Sequence, residues 1–194
     1  IPDNSYVMTS LDKDEEYFST LGSSMNLMTG AGDYFASQSA LNGIGARLGA
    51  LSSVQPTSGD SFSSWAADFK QACAQGRVGM TVTTDSNGYA TVQSEYYRGL
   101  STWLSGAGAM HRSDVVWVDN ANPESGIKAA RIKFELRSMM TTIGGRNSID
   151  ADRAVTVMDQ LRAEVDSWTG MPPPTLYAYQ FLTWETFRII KKEM

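Results

Sequence analysis

Glu124-Ser125-Gly126-Ile127-Lys128-Ala129-Ala130-Arg131-Ile132-Lys133-Phe134-Glu135-Leu136-Arg137-Ser138-Met139-Met140-Thr141-Thr142-Ile143 reads as a helix. Ile132, Leu136, Met139 and Ile143 recur at helical spacing and would form one apolar stripe. Lys128, Arg131, Lys133 and Arg137 spread around the remaining surface. Arg131 stands one helical turn before Glu135, a spacing at which opposite charges meet on a helix. Gly144-Gly145-Arg146-Asn147 would break the helix. Ser148 would then cap another over about 149–168, with Ala154, Val157, Met158, Leu161, Val165 and Trp168 as its stripe and Asp150 and Asp152 suited to its first turn.

Upstream, Thr102 to Pro123 joins three features. A helix over about 95–109, carrying Tyr96, Tyr97, Leu100, Trp103, Leu104 and Ala107, closes on the small residues Gly106-Ala107-Gly108-Ala109. His111-Arg112 follows, then a short apolar strand from Val115 to Val118 that stops at Asn120-Ala121-Asn122-Pro123. Before that helix, Val78, Met80 and Val82 alternate, and Asp85-Ser86-Asn87-Gly88 leads into Tyr89-Ala90-Thr91-Val92. Asn-Gly between alternating β-formers signals a hairpin. Two more helices are expected at 33–53 (Tyr34, Ala40, Leu41, Ile44, Leu48, Leu51) and about 61–74 (Phe62, Trp65, Ala66, Phe69, Cys73). Asp60 or Ser61 would cap the second, and the short intervening loop would make the two antiparallel neighbours. Residues 1–22 are polar and acidic. The tail from Leu176 is aromatic (Tyr177, Tyr179, Phe181, Trp184, Phe187) and is the best interface candidate in the chain, since such a patch is a liability on a monomer.

The chain has 194 residues and a net charge of −5, enough length for a sizeable core. Residues 1–97 carry four Lys/Arg against ten Asp/Glu, and the rest carry twelve against eleven. Any polyanion contact is therefore local and belongs to the second half. Cys73 is the single cysteine and His111 the single histidine, which argues against a disulfide, a zinc site and histidine-based acid–base catalysis. No apolar run reaches the length of a membrane span, and Ile1-Pro2-Asp3-Asn4 lacks the pattern of a signal peptide. There is no phosphate-binding glycine loop, nucleophile elbow or metal-protease motif, so neither catalysis nor a cofactor is expected. What remains is a cationic strip: Arg112, Lys128, Arg131, Lys133, Arg137 and Arg146. Arginine suits phosphate because its fork bonds two oxygens at once.

Several strings, in order, resemble the coat proteins of rod-shaped plant viruses, the tobamovirus type. They are Ala50-Leu51 with Gln55-Pro56-Thr57; Phe69; Thr81-Val82, Asp85-Ser86 and Tyr89; and Leu100-x-Thr102-x-Leu104-x-Gly106-Ala107. Arg112 follows, then Val118-Asp119-Asn120-Ala121-Asn122-Pro123, and last Ile149-Asp150 with Asp152, Val155, Val157, Leu161 and Thr169-Gly170. The resemblance covers roughly residues 30–123 and 146–170. It implies a mainly α fold: an antiparallel four-helix bundle with a short β-ribbon, here with an added inner helix. Residues 1–29 would be an arm, 30–170 the coat domain with its inner segment at 124–147, and 171–194 an extension.

The function implied is a capsid protein that polymerises into a helical rod and encapsidates single-stranded RNA regardless of sequence, in the virion and in the host cytoplasm during assembly. RNA would be met by Arg112, Arg146, Asp152, Arg153, Val155, Thr57 and Ser58. Lys128, Arg131, Lys133 and Arg137 would line the inner channel. The resemblance implies carboxylates opposed between subunits; Gln71 and Arg98 occupy one such pair of positions here, and another falls near Trp117 and Glu124, where Asp119 with Glu124 would substitute. The partners would be RNA and further copies of the chain, without a membrane. The rival readings are a matrix-type protein self-associating under a membrane, and a plain α-helical adaptor.

Overall fold

The computed structural model describes residues 23–55, 61–143 and 146–193. In Ser-Met-Asn-Leu-Met-Thr, Met25, Leu27 and Thr29 alternate with Asn26 and Met28, which is the period of a half-buried strand. This segment is β1 (Ser24–Thr29). It lies antiparallel to β4 (Ile127–Glu135) in six residue pairs, from Ser24 opposite Glu135 to Thr29 opposite Ala130.

This strand pair replaces the expected mainly α four-helix bundle. The fold is mixed, with helices packed on a five-stranded antiparallel sheet, and the added inner helix does not exist. The residues explain why. Ala130, Ile132, Phe134 and Leu136 are buried, while Arg131, Lys133 and Glu135 on the alternate positions are half-exposed. A helical stripe through Ile132 and Leu136 leaves Phe134 and Ala130 outside the core. The alternating pattern buries all four, opposite the fully buried Met25 and Leu27. Burial of about 25 cal/mol per Å² of apolar surface decides between the two patterns.

α1 (Gln38–Gly49) follows β1 and buries Leu41, Ile44 and Leu48. β2 (Phe62–Ser63) pairs with Phe134 and Lys133 of β4. α2 (Trp65–Ala74) therefore begins after a strand, and Ser64 caps it by accepting from the Ala67 N–H. Cys73 on its last turn is half-buried. The expected hairpin keeps its turn but not its ladder. Asp85 Oδ1 accepts from the Asn87 and Tyr89 N–H groups, Gly88 supplies a φ of +81°, and a single bridge joins Thr84 to Ala90. α3 (Gln93–Ser105) is followed by a 3-10 turn, Ala109–Asp114, and by β3 (Val115–Trp117), which pairs with β4 along the same edge as β2. After β4 come the hairpin β5 (Met140–Ile143) and β6 (Arg146–Ile149) and then α4 (Ala151–Asp166). Asp150, not Ser148, caps α4 through the Arg153 N–H. β7 (Pro174–Tyr177) returns to pair with β1, and α5 (Gln180–Glu193) closes the described chain.

β1 and β3 are parallel with β4 between them, and β4 and β7 are parallel with β1 between them. These are two interlocked β-α-β units, the split arrangement of ferredoxin-like domains. α2, α3 and β2 are inserted in the first crossover, and the β5–β6 hairpin in the second. One face of the sheet meets α1 and α4 in a core of Met25, Leu27, Ile132, Phe134, Leu41, Ile44, Met158 and Leu161. The inserted helices extend that core with aromatics; Phe69 contacts Tyr96 and Trp103, each with ring centroids 5.6 Å apart. Among the described residues no α-helix covers the other face, where Met28, Thr175 and Tyr177 are exposed beside the half-exposed Arg131, Lys133 and Glu135. At one end Gly30 donates its N–H to the Pro173 carbonyl at 3.0 Å, and Gly32 lies where a side chain would press on Pro172.

A buried charge cluster and two uncovered faces

The turn after α3 is shaped by Gly108. Its N–H donates to the Trp103 carbonyl at 2.8 Å, and any Cβ there would overlap the Trp103 indole. This tight return places the His111 ring against that indole, stacked with centroids 5.6 Å apart and planes 24° from parallel. His111 is 1% exposed and Asp114 2% exposed. The imidazole sits between two carboxylates: Nε2 is 2.7 Å from Asp68 Oδ2 on α2, and Nδ1 is 3.3 Å from Asp114 Oδ2. Asp114 Oδ1 also accepts from Arg131 Nε at 2.9 Å and Nη2 at 2.7 Å, and Lys133 Nζ lies 3.0 Å away.

Burial alone would raise the Asp114 carboxyl. The donors from His111, Arg131 and Lys133 outweigh it and lower the group to about 2. Burial alone would lower His111, and the bonds to Asp114 and Asp68 outweigh that, holding the imidazole above its ordinary value. Both ring nitrogens are thus engaged by carboxylates. Among the described residues no group of three or more His, Cys, Asp and Glu is placed to hold a metal ion.

The sequence candidates are dispersed. Arg112 is exposed on the 3-10 turn. Lys128 is exposed at the start of β4, but Arg131 and Lys133 are tied to Asp114, and Arg137 donates to the Val54 carbonyl at 3.2 Å. These four occupy a strand and its extension, not a helix. Arg146 lies on β6. Asp152 and Arg153 are exposed, and Val155 half-buried, in the first turns of α4. Arg112 therefore belongs to an element packed on β3, β4 and α3, whereas Arg146, Asp152 and Arg153 follow β4 in the second crossover. Asp119 and Glu124 are both exposed in the β3–β4 connection. There Asp119 Oδ1 accepts the Ala121 N–H and Asn122 Oδ1 accepts the Glu124 N–H, so the two carboxylates belong to one ordered turn. Thr57 and Ser58 lie outside the described residues.

The aromatic tail builds a second uncovered face. α5 packs on α4 through Phe181 and Trp184, with Arg188 paired to Asp159 at 3.2 Å and Arg162 to Glu185. On the opposite side Leu182 is 66% exposed, Ile189 56% and Ile190 50%, alongside the exposed Thr183 and Thr186. At 3.6 residues per turn these form one sector that carries no charge from Tyr179 to Ile190.

No protein-family model matches the sequence, and no curated protein is significantly similar to it. The Asp68–His111–Asp114 cluster was missed in the sequence because Asp68 is 43 residues from His111. The only local signal was the spacing of three residues between His111 and Asp114.

Proposed function

We propose that this chain is a non-enzymatic docking domain, held against an apolar partner surface through the outer face of α5. One observation carries the reading: α5 is apolar on both sides, with Phe181 and Trp184 inward and Leu182, Ile189 and Ile190 outward. Glu185 and Arg188 separate the two apolar sides, and an exposed apolar sector of this kind, rimmed by charge, marks an interaction surface.

A rod-forming coat protein would use such a face between copies of itself. The four-helix bundle behind that reading is absent, and the RNA strip is weakened because Arg131 and Lys133 share Asp114. What supports RNA binding, among the candidates with described side chains, is the exposed cations Arg112, Lys128, Arg137 and Arg153. A matrix-type protein lying on a bilayer has a separate observation in its favour. Exposed Tyr177 ends β7, exposed Tyr179 directly precedes α5 and exposed Lys192 stands near its end, with Leu182, Ile189 and Ile190 between them. That is the make-up of a helix lying in a membrane interface.

The test is the Leu182→Glu/Ile189→Glu double variant. Light scattering over a concentration series, flotation with phosphatidylcholine/phosphatidylserine vesicles, and co-sedimentation with single-stranded RNA are run on both proteins. Docking predicts self-association or flotation by the parent chain and its loss in the double variant at unchanged circular dichroism. A parent chain that stays monodisperse and does not float overturns it. Co-sedimentation with RNA that is lost in Arg112→Ala/Arg153→Ala would restore the coat reading.

A further inference from the structure

The only histidine of the chain stands where α2, α3, the 3-10 turn and the sheet meet. A neutral imidazole has one N–H and an imidazolium has two, yet here each ring nitrogen faces a carboxylate oxygen. Only the protonated ring satisfies both. We propose that His111 is a protonation-operated clamp that ties α2 to the sheet, closed as imidazolium and released at Asp68 when the ring loses a proton.

The surroundings fix which bond gives way. Asp114 is buried and pinned by Arg131 and Lys133 of β4, so it keeps the remaining N–H on Nδ1. Asp68 is half-exposed on α2 and can turn to water once Nε2 carries a lone pair. α3 contributes the uncharged Trp103 ring. Arg77, after α2, lines the same surface depression as Asp68 and His111, with Gln71, Gln75 and Met110. Arg112, the next residue, is exposed. Releasing Asp68 therefore removes the tie between α2 and the turn at the mouth of that depression, while the Asp114 anchor to the sheet persists.

The direction with pH follows from linkage. The folded-state imidazole lies above its ordinary value of about 6.5. The stability it contributes is fully present below that pH and is lost as pH rises through the folded value. Burial pushes the Cys73 thiol up to about 11, so it does not titrate in the same window. The domain is accordingly tighter under mildly acidic conditions than under alkaline ones.

A single histidine makes the test direct. Long-range proton–nitrogen correlation on the ¹⁵N-labelled protein should show both ring nitrogens protonated at about pH 6 and an apparent pKa above about 6.5. Asp68→Asn, a change at a half-exposed site, should lower that pKa. Its melting temperature should also vary less between pH 6 and 9 than that of the parent chain, which falls as pH rises. His111→Gln should abolish that fall. A neutral His111 at pH 6, or an Asp68→Asn profile parallel to the parent, overturns the clamp.

Discussion

Asp114 receives four hydrogen bonds from His111, Arg131 and Lys133. Replacing it by Ala leaves His111 with one carboxylate partner and takes the shared carboxylate from Lys133 and from Arg131, which keeps the Ser113 hydroxyl. Arg131 and Lys133 are each about a third exposed and can return to water, so the expected cost is about 1–3 kcal/mol, below that of a fully buried pair. Urea denaturation at pH 7 measures it. The carboxylate's contribution is intact above about pH 3.9 and fades as pH falls towards its folded value of about 2. The parent-to-variant difference should therefore shrink on acidification through that range. Gly108→Ala acts on the same turn from the other side. Its methyl group meets the Trp103 indole, and the predicted loss is about 1–3 kcal/mol. At this scale the sequence was legible in part: His111 and Asp114 lie one short turn apart and could have been paired, whereas nothing local marks Asp68.

Among the elements, β4 is the instructive one. Its residues fit two periods at once, and helical spacing through Ile132 and Leu136 looks persuasive alone. The deciding partner is β1, some hundred residues earlier, whose Met25 and Leu27 offer a buried surface only to a strand. A pattern of period two running Ala130, Ile132, Phe134, Leu136 was present in the letters, with Arg131, Lys133 and Glu135 between. The helices α1 to α4 were legible because each has a single apolar stripe; β2 and β7, of two and four residues, are too short to show a period. α5 has two apolar sides, which gives a contrast to measure. Trp184→Ala on the inner side should cost about 3–5 kcal/mol. Leu182→Glu with Ile189→Glu on the outer side should change thermal stability by less than about 0.5 kcal/mol per site, as exposed substitutions do.

For the whole molecule, the interlocked units mean that the ends of the described chain hold its middle. β1 lies between β4 and β7, so residues 24–29 and 174–177 are structural members of one sheet. A chain truncated after Tyr179 should keep a cooperative unfolding transition, weakened by the loss of Phe181 and Trp184. A chain truncated after Pro173 exposes the far side of β1 and should lose most of its cooperativity in a calorimetric scan. This architecture was hidden in the sequence because its defining pairs are nonlocal, joining segments with no shared signature. The prolines leading into β7 and opening it have a consequence of a different kind. β7 is the outermost lane of the sheet, and such a lane is a template on which foreign strands can grow. Pro172, Pro173 and Pro174 have no N–H to give, and the Pro173 carbonyl is already held by Gly30. The lane therefore begins with backbone that cannot be copied onto another chain. The same three residues that seat the last strand also guard the protein against runaway aggregation.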